Sequence, residues 1–193
     1  MKDITNYEMK FALLILRSPE KDYNANNISK ELGITPMGAL KIAKKLEKEN
    51  ILTSKQLGKA TFYKFNFKSD YAKDFAKLLL KRELLYADSF TKMWASQLQN
   101  IKNADLVLLF GSVLTKKQKA NDIDVLLVTN QKKFNKLKKE IGELNEMNVK
   151  HIHPIYQSIN DLKKNIKKND KVVLNAIKGI LIKREDRFLE VLK

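Results

Sequence analysis

Two short apolar runs, Leu106–Phe110 and Ile123–Val128, are joined by twelve residues that open on Gly111-Ser112 and close on Asp122. Runs of this length bounded by turn residues are buried strands. The chain beyond Val128 alternates: an amphipathic helix over Phe134–Met147, a strand over Val149–Gln157, then a helix capped by Ser158. Gly179 breaks the last long helical pattern before Ile180–Lys183, and Asp186–Leu192 forms a terminal turn. Alternating strands and helices predict a small α/β or mixed α+β domain over residues 104–193. No run approaches the ~20 apolar residues of a membrane span, so no membrane partner is expected.

The first 68 residues have a different rhythm. Tyr7 to Arg17 carries apolar residues at helical spacing and stops before Ser18-Pro19. Asn26 or Asn27 can cap a short helix, Ile28–Leu32, which ends at Gly33. Thr35-Pro36 is an N-cap followed by proline at the first helical position, and the helix it opens runs to about Asn50. Its inward stripe is Leu40, Ala43 and Leu46. Ile51–Leu57 and Thr61–Phe67 then read as a hairpin around Gly58-Lys59-Ala60. Residues 69–103 form a connecting segment with one long helical pattern over 70–99, in which Phe75, Leu79, Tyr86, Phe90 and Met93 share a face. Trp94 is expected to pack in a core.

Composition narrows the chemistry. The chain has no cysteine, which excludes disulfide scaffolds and thiolate sites, and its two histidines argue against a conventional zinc site. The N-terminal residues lack a secretory layout, so a cytoplasmic protein is expected. The net charge is +16, with 38 basic and 22 acidic residues. Such an excess suits an anionic partner, nucleic acid first. All but four of the bases are lysines, and a lysine-rich surface is also consistent with plain solvation, as over 132–139 and 163–171.

Helix, short helix, tight turn, helix and basic hairpin resemble the winged helix-turn-helix domains of bacterial and archaeal transcription regulators. The residues that carry the resemblance are Asn27-Ile28-Ser29-Lys30-Glu31-Leu32-Gly33-Ile34-Thr35, then Ala39, Leu40, Leu46 and Leu52, then the wing Lys55–Phe65. It covers about residues 5–68, within a domain placed at 1–68. It implies double-stranded DNA as partner and a homodimer reading paired half-sites. A recognition helix bearing Thr35, Met37, Lys41, Lys44 and Lys45 would enter the major groove, with Lys55, Lys59 and Lys64 of the wing on the backbone or minor groove. Winged helices also serve as protein-binding modules. Lysine gives point-charge contacts, so salt-sensitive affinity is better specified than a target sequence.

The stretch Leu106–Ser112, nine residues, then Asp122-Ile123-Asp124–Val128 resembles the nucleotidyltransferase superfamily that includes DNA polymerase beta, especially its small prokaryotic members. Gly111, Ser112, Asp122 and Asp124 match its signature. Glycine allows close approach to a triphosphate, and Ser112 offers donors at a helix start. Residues two apart on a strand face one way, so Asp122 and Asp124 converge, a suitable arrangement for Mg²⁺ or Mn²⁺ with substrate phosphates. Lys116, Lys117 and Lys119 could neutralise phosphate charge. The resemblance implies attack of a hydroxyl on the α-phosphate of a nucleoside triphosphate, with release of pyrophosphate.

Active members place a third carboxylate on a later strand. The corresponding strand here holds none; it carries His151 and His153 on one face. Either histidine can stand in the missing acid's place as a neutral base, His153 being the catalytic candidate, or both are a solvated pair. Glu146 and Asp161 are expected on flanking helices. The leading expectation is therefore a DNA-binding regulator whose nucleotidyltransferase-fold domain binds Mg-nucleotide with weak or no turnover. The alternative is an active transferase that moves a nucleoside monophosphate to a protein or RNA hydroxyl, as in the toxin–antitoxin pairs that include small members of the superfamily. A third is a protein-interaction scaffold.

Overall fold

The computed structural model describes residues 4–193. Between Leu79 and Leu80 the chain divides into two compact units.

The first unit is built on α1 (Asn6–Leu16), β1 (Tyr23–Asn24), α2 (Ala25–Leu32), α3 (Pro36–Lys48), β2 (Leu52–Leu57) and β3 (Ala60–Phe65). Thr5 and Glu8 close a reciprocal capping box at the start of α1. A second box, Asn24 with Asn27, starts α2 three residues earlier than the Ile28 expected from apolar spacing. Gly33 ends α2 at φ 64°, the left-handed turn that glycine adopts without Cβ strain. Thr35 caps α3 and Pro36 occupies its first position, as expected. The helix buries Ala39, Ala43 and Leu46, so Ala39 takes the inward place assigned to Leu40. These side chains are buried in this unit's core with, among others, Phe11, Ile15, Leu16, Ile28, Tyr63 and Phe65. β1, unseen in the sequence, adds a third strand by pairing Tyr23 with Tyr63, giving the antiparallel order β1-β3-β2. Two residues carry too little pattern to be read as a strand; the partner strand creates it.

The long helix expected over 70–99 is two helices, α4 (Asp70–Leu85) and α5 (Ser89–Gln99). Asp88 causes the break: its carboxylate accepts from the N–H groups of Phe90 and Thr91 and from the Thr91 hydroxyl. The interruption resets the helical phase. Tyr86 and Met93, expected to share a face with Phe75 and Leu79, are 63% and 44% exposed, and α5 buries Thr91, Trp94, Ala95 and Leu98.

The second unit is a four-stranded sheet in the order β6-β5-β4-β7. Its elements after α5 are β4 (Leu106–Phe110), α6 (Val113–Lys116), β5 (Ile123–Val128), α7 (Gln131–Met147), β6 (Ile152–Gln157), α8 (Ile159–Lys167), α9 (Lys171–Ile177), β7 (Ile180–Lys183) and α10 (Glu185–Leu192). β4 pairs antiparallel with β5 and β7, whereas β5 and β6 run parallel across α7. Val107, Leu109, Ile123, Val125 and Leu127 pack with Trp94 and Leu98 of α5 and Leu137 and Ile141 of α7. The alternate residues Leu106, Leu108, Leu126 and Val128 are also buried, on the opposite face, where α9 packs on β4. Covering both faces explains why the central strands read as continuous apolar runs. The expected terminal turn is a full helix that buries Phe188, Leu189, Val191 and Leu192.

Candidate functional site

Asp124 lies on the face of β5 shared by Leu126 and Val128, opposite the α5–α7 core. Asp122, two residues earlier, points the same way. In the antiparallel ladder Phe110 is opposite Asp124, so Gly111 leaves β4 beside that carboxylate. Gly111 has φ 77°, and a Cβ there would lie 2.1 Å from Asp124 Oδ2 and 3.0 Å from its Cγ. Glycine at this position is thus required twice, by backbone conformation and by space.

The parallel ladder sets His153 opposite Asp124. Its Nδ1 lies 3.3 Å from Asp124 Oδ1. Asp122, Asp124 and His153 each offer one ligand atom within 4.8 Å of the others, the acids and imidazole together forming a cation-sized cluster. Two hydrogen bonds, one between backbones and one from a side chain, tie the cluster's loops together. The Ile123 N–H donates to the His151 carbonyl at 3.0 Å. The Lys150 ammonium donates to the Ala120 carbonyl at 2.5 Å. The donor set therefore fits a divalent ion, with an exposed side left for water and phosphate oxygens.

His151 and His153 do not share a strand as expected, because β6 begins only at Ile152. His153 alone reaches the carboxylates among the described residues. Glu146 lies in α7, and Asp161 sits in the first turn of α8, where the Ser158 hydroxyl donates to it. Neither joins the cluster. Ser112 precedes α6 without a side-chain capping bond, so its hydroxyl is not spent on its own helix. Lys116, Lys117 and Lys119 line a shallow depression with Asp88, Ser89 and Phe90. Burial pushes the Asp88 carboxyl up, but bonds from Thr91 and the nearby Lys117 ammonium outweigh it and hold it below its ordinary value.

Gly179 was legible only as a helix breaker. A Cβ on it would lie 2.3 Å from the Leu109 carbonyl oxygen and 2.7 Å from Phe110 Cβ. Its lack of a side chain lets the chain pass against the end of β4 that leads into Gly111. The available signal was an isolated glycine ahead of a strand-like run.

In the first unit Met37 is 73% exposed, and Lys41 and Lys44 are exposed on α3. Lys55 and Lys59 are exposed on the β2–β3 wing. Two other lysines of the expected DNA face have partners within the unit. Lys45 forms an ion pair with Glu8 of α1 at 2.6 Å, so its charge is directed inward. Lys64 bonds to Asp22 at 2.9 Å and to the Lys21 carbonyl at 2.7 Å, bracing β3 against the turn before β1. The Thr35 hydroxyl accepts from the Gly38 N–H and is occupied as a cap.

Residues 94–179 match the family model described as "Polymerase beta, Nucleotidyltransferase". The second unit thus carries a nucleotidyltransferase-fold domain, and the first, by its own element order and pairing, is a winged helix. Among solved structures, the chain is similar to the adhesin competence repressor AdcR from Streptococcus pyogenes, at 17% identity over 52% of this chain and 68% of that one, with a TM-score of 0.36. It is also similar to a mutant of ZitR from Lactococcus lactis, at 19% identity over 50% of this chain and 72% of that one, with a TM-score of 0.32. No curated protein matches the sequence. No helix among the described residues is long and apolar enough to cross a membrane.

Proposed function

We propose that the chain is a cytoplasmic, dimeric DNA-binding regulator whose nucleotidyltransferase-fold domain takes up a divalent ion, Mg²⁺ or Mn²⁺, and a nucleoside triphosphate as a signal. The observation that carries the DNA half is the outer surface of α3 and its wing. There Met37, Lys41, Lys44, Lys55 and Lys59 all stand exposed, while Glu47 of α3 accepts from the Ser54 hydroxyl of β2. Lysines at such positions meet phosphates, while the helix start meets base edges. Anisotropy with labelled duplex DNA at low salt tests this reading. Binding weakened by Lys41→Gln and Lys44→Gln is expected; no duplex binding at low salt overturns it. Light scattering tests the dimer, and a monomer mass removes it.

For the second unit, Asp122 and Asp124 would hold the ion, which when bound supplies positive charge against a triphosphate. The Gly111-Ser112 turn would accept a phosphate at close range. A thermal shift that needs both ion and nucleotide is the expected result.

The convergence of both aspartates on His153 favours a second reading, a working transferase. An acceptor hydroxyl of a protein or RNA would bond to the α-phosphorus, the bond to pyrophosphate would break, and His153 would take the hydroxyl proton. Incubation with each labelled triphosphate and cell extract separates the two. A labelled macromolecule establishes the transferase; no transfer with retained nucleotide binding leaves the sensor.

A further inference from the structure

We infer that His153 is a third metal ligand beside Asp122 and Asp124, and that the resulting two-oxygen, one-nitrogen set selects a first-row transition dication over Mg²⁺. This selectivity rests on the metal–nucleotide reading of the same site and goes beyond it, because that reading is indifferent between Mg²⁺ and Mn²⁺.

The geometry is that of a partly formed coordination shell. Around an ion bound at ~2.1 Å, neighbouring octahedral ligands lie about 3 Å apart and opposite ones about 4 Å. His153 Nδ1 and Asp124 Oδ1 are 3.3 Å apart, the spacing of neighbours. All three donor atoms lie within 4.8 Å, so a small rotation about exposed side-chain bonds closes the shell. The His153 side chain is 69% exposed and that of Asp124 24%, which leaves the remaining positions open to water or a triphosphate. The imidazole is placed by the β5–β6 register, with the Lys150–Ala120 and Ile123–His151 bonds fixing the loops on either side.

The chemistry of the donors sets the preference. Mg²⁺ is a hard ion that keeps oxygen ligands and releases water reluctantly. Imidazole nitrogen suits transition ions, whose affinity for such sites rises along the first row from Mn²⁺. Replacing a third carboxylate by histidine removes a negative charge that Mg²⁺ would use and adds a nitrogen that it does not.

Calorimetry of the full chain with MnCl₂ and with MgCl₂ measures the preference, in wild type and in His153→Asp and His153→Ala. Circular dichroism confirms that these exposed-site variants fold. Mn²⁺ is expected to bind at least about tenfold more tightly than Mg²⁺ to the wild type. His153→Asp should shrink that ratio by weakening Mn²⁺ and strengthening Mg²⁺, and His153→Ala should weaken Mn²⁺ alone. Pulsed electron paramagnetic resonance of the Mn²⁺ protein should show nitrogen modulation from one imidazole, absent in both variants. Ion binding with no nitrogen modulation, or with a ratio unchanged by His153→Asp, overturns the assignment while leaving the metal–nucleotide reading intact. Binding of neither ion, alone or with a nucleoside triphosphate, overturns both.

Discussion

Gly111 and Asp124 are packed so closely that a methyl group on the glycine would sit 2.1 Å from the carboxylate oxygen. The turn after β4 and the acidic strand β5 are therefore one unit of structure: the backbone that would face a phosphate also fixes the carboxylate that would face a cation. Gly111→Ala is expected to displace Asp124 and abolish metal-dependent thermal stabilisation. Its left-handed backbone adds roughly 1–2 kcal/mol of strain. A thermal melt with and without MnCl₂ measures both effects, and retained ion response in the variant would refute the coupling.

Asp122→Asn and Asp124→Asn should each remove ion-dependent stabilisation without lowering apo stability by much, because Asp122 is exposed and Asp124 only partly buried. At an ion concentration of one hundred dissociation constants, wild type should gain about 2.7 kcal/mol. Denaturant titrations in EDTA and in metal give the difference directly. Equal gains in wild type and variants would place the ion elsewhere.

The Glu8–Lys45 pair ties α1 to α3 and makes the first unit sensitive to pH at both ends. Burial alone would raise the Glu8 carboxyl, but the Lys45 ammonium and the Thr5 bonds overcome it and hold it below its ordinary 4.5. Its stabilisation is present above that value and is lost as pH falls through the lower folded one. The bond to Glu8 raises Lys45 above its ordinary 10.5, so its contribution is present below that value and is lost as pH rises through the higher folded one. Glu8→Gln should cost about 1.5–3 kcal/mol at neutral pH and flatten the acid side of the stability profile. Superimposable profiles for wild type and variant would show that the pair contributes nothing.

The lysines divide into two groups with different readouts. Lys41→Gln, Lys44→Gln, Lys55→Gln and Lys59→Gln should weaken duplex binding and each reduce the salt slope by about 0.9. Lys45→Gln and Lys64→Gln should chiefly lower melting temperature, since their charges are engaged within the fold. A uniform effect of all six on the salt slope would contradict that division.

Gly142 in α7 has open space where a Cβ would stand. Gly142→Ala should raise stability by about 0.5–1 kcal/mol through helix propensity alone. It makes a useful contrast to Gly111→Ala, and a lower melting point would count against the packing described for α7.

Local chemistry made much of the fold readable. Thr35-Pro36, Gly33, Ser158 and the bounded runs Leu106–Phe110 and Ile123–Val128 mark their elements because capping, left-handed turns and two-sided burial act over a few residues. The convergence of Asp122 and Asp124 follows from strand periodicity in the same way. Asp88 is an equally local signal, but the apolar spacing that runs across it reads as one continuous helix, and only the cap it forms on α5 marks the break.

What the chain by itself determined was the inventory of carboxylates, the turn glycine, the lysine-bearing helix and wing, and the side of a strand each residue faces. Only tertiary structure decided which partners they meet. Pairing of distant strands brought His153 rather than His151 to Asp124, added β1 to the wing sheet, and set Gly179 against β4. It also paired Lys45 with the buried Glu8 and Lys64 with Asp22 at the surface. Sequence spacing carries periodicity along one element, but the register between elements is set by packing across the whole core, and side-chain partners follow that register.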